Sequence, residues 1–106
     1  MSIDRTIAAL GDSTRRELLR RLAQKPCRAG ELARGFAMSR PAVVKHTRML
    51  DKAGLIRAKK VGRERIYELA PGGRERVETL IKKLAEVGAF WDNALEGFKR
   101  YLEENR

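Results

Sequence analysis

The stretch Ala29–Gly54, AGELARGFAMSRPAVVKHTRMLDKAG, holds the pattern from which the rest of the chain can be read. From about Ala29 to Phe36, Leu32, Ala33 and Phe36 fall on one face of a short helix. A brief turn follows at Ala37-Met38. Ser39-Arg40-Pro41 then opens a longer helix. Serine is a good N-cap, and proline in the first turn gives up an N–H that no helix bond needs. Gly54, after Lys52-Ala53, suits the left-handed residue that ends it. Two short helices joined by a tight turn predict a helix-turn-helix, whose second helix fits a DNA major groove.

The second helix divides its labour. Val43, Thr47 and Leu50 recur at i, i+4 and i+7 and are expected to face the body. Arg40, Val44, Lys45 and Arg48 are expected to face outward. Ser39 and Arg40 lie at the N-terminal end, which approaches base edges and offers free N–H groups to a phosphate. Arg40 has the planar fork that pairs with guanine O6 and N7. Lys45 and Arg48 are candidates to read bases or clamp phosphates. For each of the three, a merely solvated helix charge is the competing reading.

Outward from this stretch, a first helix is expected from about Ser2 to Leu10, with Ile3, Ile7 and Leu10 on one face. Gly11 stops it. A second begins at Asp12 or Ser13, and Thr14-Arg-Arg-Glu17 has capping-box spacing. Leu18, Leu19 and Leu22 form its apolar face, and it ends near Lys25-Pro26. Beyond Gly54, Leu55–Lys60 and Arg63–Leu69 read as two strands joined by a turn at Val61-Gly62. The hairpin tip carries Lys59, Lys60, Arg63 and Arg65 against Glu64 alone. Such a tip can follow a phosphate backbone or enter a minor groove; basic residues there also guard a strand edge from aggregation. After Pro71-Gly72-Gly73 a long helix runs from about Arg74 to Glu103, with Val77, Leu80, Ile81, Leu84, Val87, Trp91, Leu95, Phe98 and Leu102 in a helical stripe. A domain of some 70 residues is too small to cover it, so the stripe predicts a homodimer through Leu80, Leu84, Val87, Trp91, Leu95 and Phe98, with Ile3 and Ile7 beside it.

The expected fold is therefore mainly α with a small β-hairpin, a winged helix-turn-helix with a long C-terminal dimerisation helix. The 106 residues form one domain, 1–70 being the DNA-binding body and wing and 71–106 the dimerisation helix. Charge follows the same division. Residues 1–70 hold 17 Lys/Arg against 7 Asp/Glu, the whole excess of +10, whereas residues 71–106 hold 7 of each. A basic body joined to a neutral helix suggests a polyanion-binding part and a part with another task. No apolar run approaches the roughly 20 residues that span a bilayer, and Met1-Ser2-Ile3-Asp4-Arg5 lacks the apolar block of a secretory signal. A cytoplasmic protein with no membrane partner is expected, in keeping with a single cysteine, Cys27.

Four stretches, in order, resemble the arsenic-repressor (ArsR) family. Ala9-Leu-Gly-Asp-Ser-Thr-Arg-Arg-Glu-Leu-Leu19 is similar to its opening "ALADPTRRxIL". Ser39-Arg-Pro-Ala-Val-Val-Lys-His-Thr-Arg-Met-Leu50 resembles its recognition helix "SQPAVSRHLKxL". Asp51-Lys-Ala-Gly-Leu-Ile56 resembles "EEAGLV", and Val61-Gly-Arg-Glu-Arg-Ile-Tyr-Glu-Leu69 its wing "EGRRRxYxL". The resemblance implies a dimeric winged-helix repressor that leaves its operator when an effector binds. It departs at Ser13, where many relatives have proline; at Val44, where serine is usual; and at Thr47, where an apolar residue is usual and whose hydroxyl predicts looser packing.

Metal sensors of that family carry a cysteine pair in the third helix, or His and carboxylate ligands on the last. This chain has one Cys and one His, and the last helix has no His. No metal and no cofactor is therefore expected within one chain, soft metals needing several thiolates or imidazoles together. Ligands pooled across a dimer, such as both copies of Cys27, remain open. The ending Phe90-Trp91-Asp92…Leu95…Phe98…Tyr101-Leu102-Glu103-Glu104 resembles non-metal members related to autorepressors. An unidentified small-molecule effector is the remaining expected partner. The resemblance makes His46 a phosphate or base contact; a histidine packed on nearby backbone is the other reading. Cys27 reads as a small buried thiol; a redox-responsive switch needs it accessible and of low pKa. A helical interaction module with an incidental basic face is a further alternative. Catalysis is not expected: the chain has no nucleophile with a base and no glycine-rich phosphate loop.

Overall fold

Asp12 starts the helical body. In the computed structural model, which describes residues 3–105, its carboxylate accepts from the Arg15 amide at 3.1 Å and caps α2 (Ser13–Gln24). That bond holds the Asp12 carboxyl below its usual range. A lowered folded-state pKa means the cap's contribution is complete above the unfolded value and is lost as pH falls from there through the folded one. The capping box expected at Thr14 is not formed, because Asp12 already serves the first turn; Glu17 instead sits 3.7 Å from Arg20. Leu18 and Leu22 are buried, and Leu19 packs partly against them.

The first helix, α1, spans Ile3–Leu10; the Ser2 start expected for it lies outside the described residues. The face it buries in its own chain is not the one expected to pack beside the dimer helix. Thr6 and Ala9 are buried, whereas Ile7 is 47% exposed. The helix packs against α2 and, farther along the chain, α4 and α5. Helices in such close company put small side chains at the contact. Arg15 secures the end of α1, donating from Nε to Ala9 O at 2.7 Å and from Nη2 to Ala8 O at 2.8 Å.

A strand absent from the sequence reading follows. β1 is Cys27–Arg28, two residues paired with the wing. So short a strand leaves no alternation to detect; its neighbour in space makes it a strand. Then come α3 (Ala29–Gly35) and α4 (Arg40–Lys52). Between them Ala37 takes a left-handed φ of 50°, and the Met38 amide donates back to Ala33 O. Ser39 caps α4 as expected, accepting from the Ala42 amide at 3.2 Å. The looser packing expected at Thr47 is not seen: its hydroxyl donates to Val43 O at 2.7 Å, so the polar atom is satisfied inside the helix and the residue is buried.

Gly54 turns the chain with φ +76°, and a Cβ there would collide with the Arg76 side chain. β2 (Ile56–Val61) and β3 (Glu64–Leu69) pair antiparallel, and the sheet order is β1-β3-β2. The turn lies one residue later than expected, at Gly62-Arg63, because Val61 still pairs with Glu64; Gly62 supplies the positive φ. Paired residues share a face. Ile56, Ala58 and Lys60 therefore lie with Leu69, Tyr67 and Arg65, on the side where Ile56 and Tyr67 are buried. The core joins Leu18, Leu22, Leu32, Val43, Leu50 and Ile56.

The last helix, α5, runs Gly73–Glu104. Its 32 residues extend about 48 Å, which accounts for most of the molecule's 72 Å length. It is anchored only at its root. Gly73 and Leu80 are buried, Val77 packs on the core, and every described residue from Ile81 onward is exposed. No helix among the described residues is long and apolar enough to cross a membrane.

Candidate nucleic-acid interface

α4 is pinned to the body by Val43, Thr47 and Leu50, all buried. With that face fixed, Ser39, Arg40, Lys45 and Arg48 are exposed, as expected from the helical period. Val44 is half-buried and lines a cleft rather than standing free. Arg40 does not simply point outward. Its guanidinium leans over α3, with Nη2 3.0 Å from where a Cβ on Gly30 would sit, and Arg34 Nη1 approaches the same point at 3.5 Å. A side chain on residue 30 would crowd both. Two cations thus converge over the start of α3, and neither has a carboxylate partner among the described residues.

His46 turns toward the body. Its Nδ1 lies 3.4 Å from Arg15 Nη1, so the ring packs against a side chain of α2 rather than against backbone. A bond there needs Nδ1 to accept, which leaves the ring proton on Nε2.

The wing separates its charges by face. Lys59 lies on the outer face and is tied down: Glu68 takes Lys59 at 3.1 Å and Arg57 at 2.6 Å. Those two bonds, Arg57 first, hold the Glu68 carboxyl below its usual range. Lys60 and Arg65 are cross-strand partners on the opposite face, toward α4, and Arg63 sits in the tip turn. Arg28 of β1 bonds Glu64 at 2.6 Å. The result is a cleft of about 660 Å³ between α3, the start of α4 and the wing, lined by Arg28, Arg34, Arg40, Arg63 and Arg65 against Glu31 and Glu64. Sequence reasoning missed Arg28 and Arg34. Arg28 precedes the helix-turn-helix, and Arg34 sits on a helix read only for its apolar face, so nothing local marks either beyond its charge.

Tyr67 closes the back of this cleft. It is 2% exposed, and its buried hydroxyl has no partner among the described residues. A buried hydroxyl without a bond carries an uncompensated desolvation cost. Tyr67→Phe is therefore expected to keep or raise stability, by up to about 1 kcal/mol, in urea unfolding. A loss above that would mean the hydroxyl is bonded in solution.

The remaining residues singled out from sequence lie elsewhere. Leu84, Val87, Trp91, Leu95 and Phe98 stand exposed along α5, Trp91 at 67%. Leu80 is not among them; at 8% exposed it is already buried within its own chain. Ile7 is exposed and Ile3 half-buried on α1, which packs against α5. Cys27 is a free thiol in the core, 1% exposed, its Sγ 3.4 Å from Lys25 O.

Residues 12–58, which span α2 to the start of the wing, match the family described as bacterial regulatory protein, arsR family. The HTH-type transcriptional regulator Rv2034 of Mycobacterium tuberculosis (strain ATCC 25618 / H37Rv) is 38% identical over 102 residues, spanning 96% of this chain and 90% of that one. A crystal structure of an ArsR family transcriptional regulator, RHA00566, is 35% identical and superposes with a TM-score of 0.69, covering 84% of this chain and 94% of its own. The chain belongs to the ArsR family. An ArsR-like transcriptional regulator from Rhodococcus sp. RHA1 shares the fold over 92% of this chain and 90% of its own, at 34% identity and a TM-score of 0.70. ArsR-family regulators are DNA-binding, non-catalytic proteins, and this chain has their winged helix-turn-helix.

Proposed function

We propose that this ArsR-family chain acts in the cytoplasm as a homodimeric repressor on an imperfect palindrome. In this reading α4 enters the major groove and the wing follows the backbone. The observation that carries it is the face of α4: three buried residues fix the helix while Arg40, Lys45 and Arg48 stand free beside a cleft lined by further arginines. His46, engaged with Arg15, is then a residue that positions the helix as well as a neighbour of the backbone. Lys59, held by Glu68, has less charge to offer DNA than Lys60, Arg63 and Arg65. The exposed stripe of α5, with Ile7 and Ile3 of α1 beside it, forms the two-fold interface. We place the chain with the non-metal, autorepressor-like members, answering to a small molecule rather than a metal. Its imidazole and thiol ligands are one histidine engaged with Arg15 and one cysteine packed in the core.

The test is binding to an operator selected from genomic DNA, measured against salt. With eight to ten phosphates contacted, log K should fall against log salt with a slope of about −7 to −9. Half-sites should lie about one helical turn apart. Arg40→Ala should cost about 1–3 kcal/mol at one or two base pairs. Lys60→Ala or Arg63→Ala should weaken all sequences alike and reduce the slope by about one unit. A salt-independent affinity would remove the reading altogether. Equal weakening of operator and random DNA by Arg40→Ala would reduce Arg40 to a phosphate contact.

A further inference from the structure

A second pocket lies away from the basic cleft, where three parts of the molecule meet. Its volume is about 410 Å³, within the range of about 300–1,000 Å³ that small molecules occupy. Leu19 and Ala23 of α2 form one wall, Leu55 and Leu69 the floor, and Val77 of α5 the other wall. Gly73 completes it, where a Cβ would lie 3.2 Å from Leu55 O. The lining is apolar apart from Arg16, Arg20 and Arg74, and it includes no acid.

The three arginines differ in how far they are neutralised. Arg16 donates from Nη1 to Leu10 O at 2.7 Å, a carbonyl that takes none of its charge. Arg20 is 3.7 Å from Glu17 and Arg74 2.9 Å from Glu78, each a neighbour on its own helix and each exposed. Exposed pairs of this kind are weak and exchange readily. An apolar interior beneath guanidinium groups suits a molecule with an apolar body and one anionic head, since charge-assisted bonds to a carboxylate are the strong ones.

We propose that this pocket binds an amphiphilic carboxylate, and that its occupancy changes how α5 sits on the body. Any effect on DNA rests on the regulator reading above; the binding itself does not. A ligand that favours one seating of α5 over another would shift the equilibrium between them by its difference in affinity.

Decanoate is the probe, and decanol, the same chain without the charge, is its control. Binding is followed by calorimetry and by amide shifts in the full-length protein. The expected result is saturable binding of decanoate, stronger than that of decanol, with the largest shifts at Leu19, Ala23, Leu55 and Gly73. Arg16→Gln with Arg74→Gln should weaken decanoate by about tenfold or more and leave decanol unchanged. Ala23→Phe, at an exposed position on the rim, should block both without touching the core. Three results would overturn the proposal: no binding at millimolar decanoate, equal binding of decanol, or shifts confined to the α5 stripe beyond Ile81. Operator affinity without decanoate is measured on the same samples. Its loss would count against the DNA-binding reading, and failed decanoate binding with operator affinity intact against this one.

Discussion

Trp91→Glu combined with Phe98→Glu should yield a monomer whose operator affinity is lower by about 10²–10⁴. Both side chains are largely exposed, so neither change disturbs the core of a single chain. The exposed apolar residues from Ile81 to Leu102 cover roughly half the helix circumference, more than a two-helix seam requires. Each aromatic buried in an interface contributes about 1.5–3 kcal/mol, and two charges in their place reverse that drive. Linking two DNA-reading units gives the second an effective concentration that a free monomer lacks. Truncation after Leu80, which spares Val77 on the core and the buried Leu80, should do the same. Sedimentation would decide it; an intact dimer in both variants would place the interface elsewhere.

Leu50→Ala should lower stability by about 2–5 kcal/mol, a large part of the roughly 5–15 kcal/mol that holds a domain of this size folded. Leu50 is 0% exposed, and its neighbours in the core come from helices and sheet alike. The cavity would open beneath α4, so the helix that carries Arg40, Lys45 and Arg48 would lose its seat. Urea unfolding of the variant checks the cost. A loss below about 1 kcal/mol would mean that the core collapses into the space without strain.

How much of this was legible in the sequence depended on the range of the interaction. Ser39 at a cap, Pro41 in a first turn and Gly54 after a helix are local signals, and the helix-turn-helix appeared where they placed it. The stripe of α5 was equally plain, since eight turns of repetition leave little room for another reading. The hairpin was found, but its turn slipped by one residue because Val61 suits a strand as well as a turn. What escaped was set by contacts between distant segments. Thr6 and Ala9 are buried because other helices press on α1, and no periodicity says so. Leu80 belongs to the apolar stripe yet faces its own body. Lys59 and Lys60 look alike as neighbours in sequence, and only strand register gives one of them to Glu68. Arg34 joins Arg40 through the fold of α3 against α4, over a glycine that sequence alone left unremarked.

α5 has a mechanical consequence. A rod of about 48 Å held only by its first two turns acts as a lever, with its fulcrum at Gly73, Val77 and Leu80. Turning it by some 5° on that fulcrum sweeps its far end through about 4 Å, more than the rise of one base pair. If the far ends are clamped to a partner, the motion is returned to the bodies, and the spacing of the two reading helices changes instead. The pocket beneath Arg16 and Arg74 lies at the fulcrum, where the smallest displacement has the greatest reach.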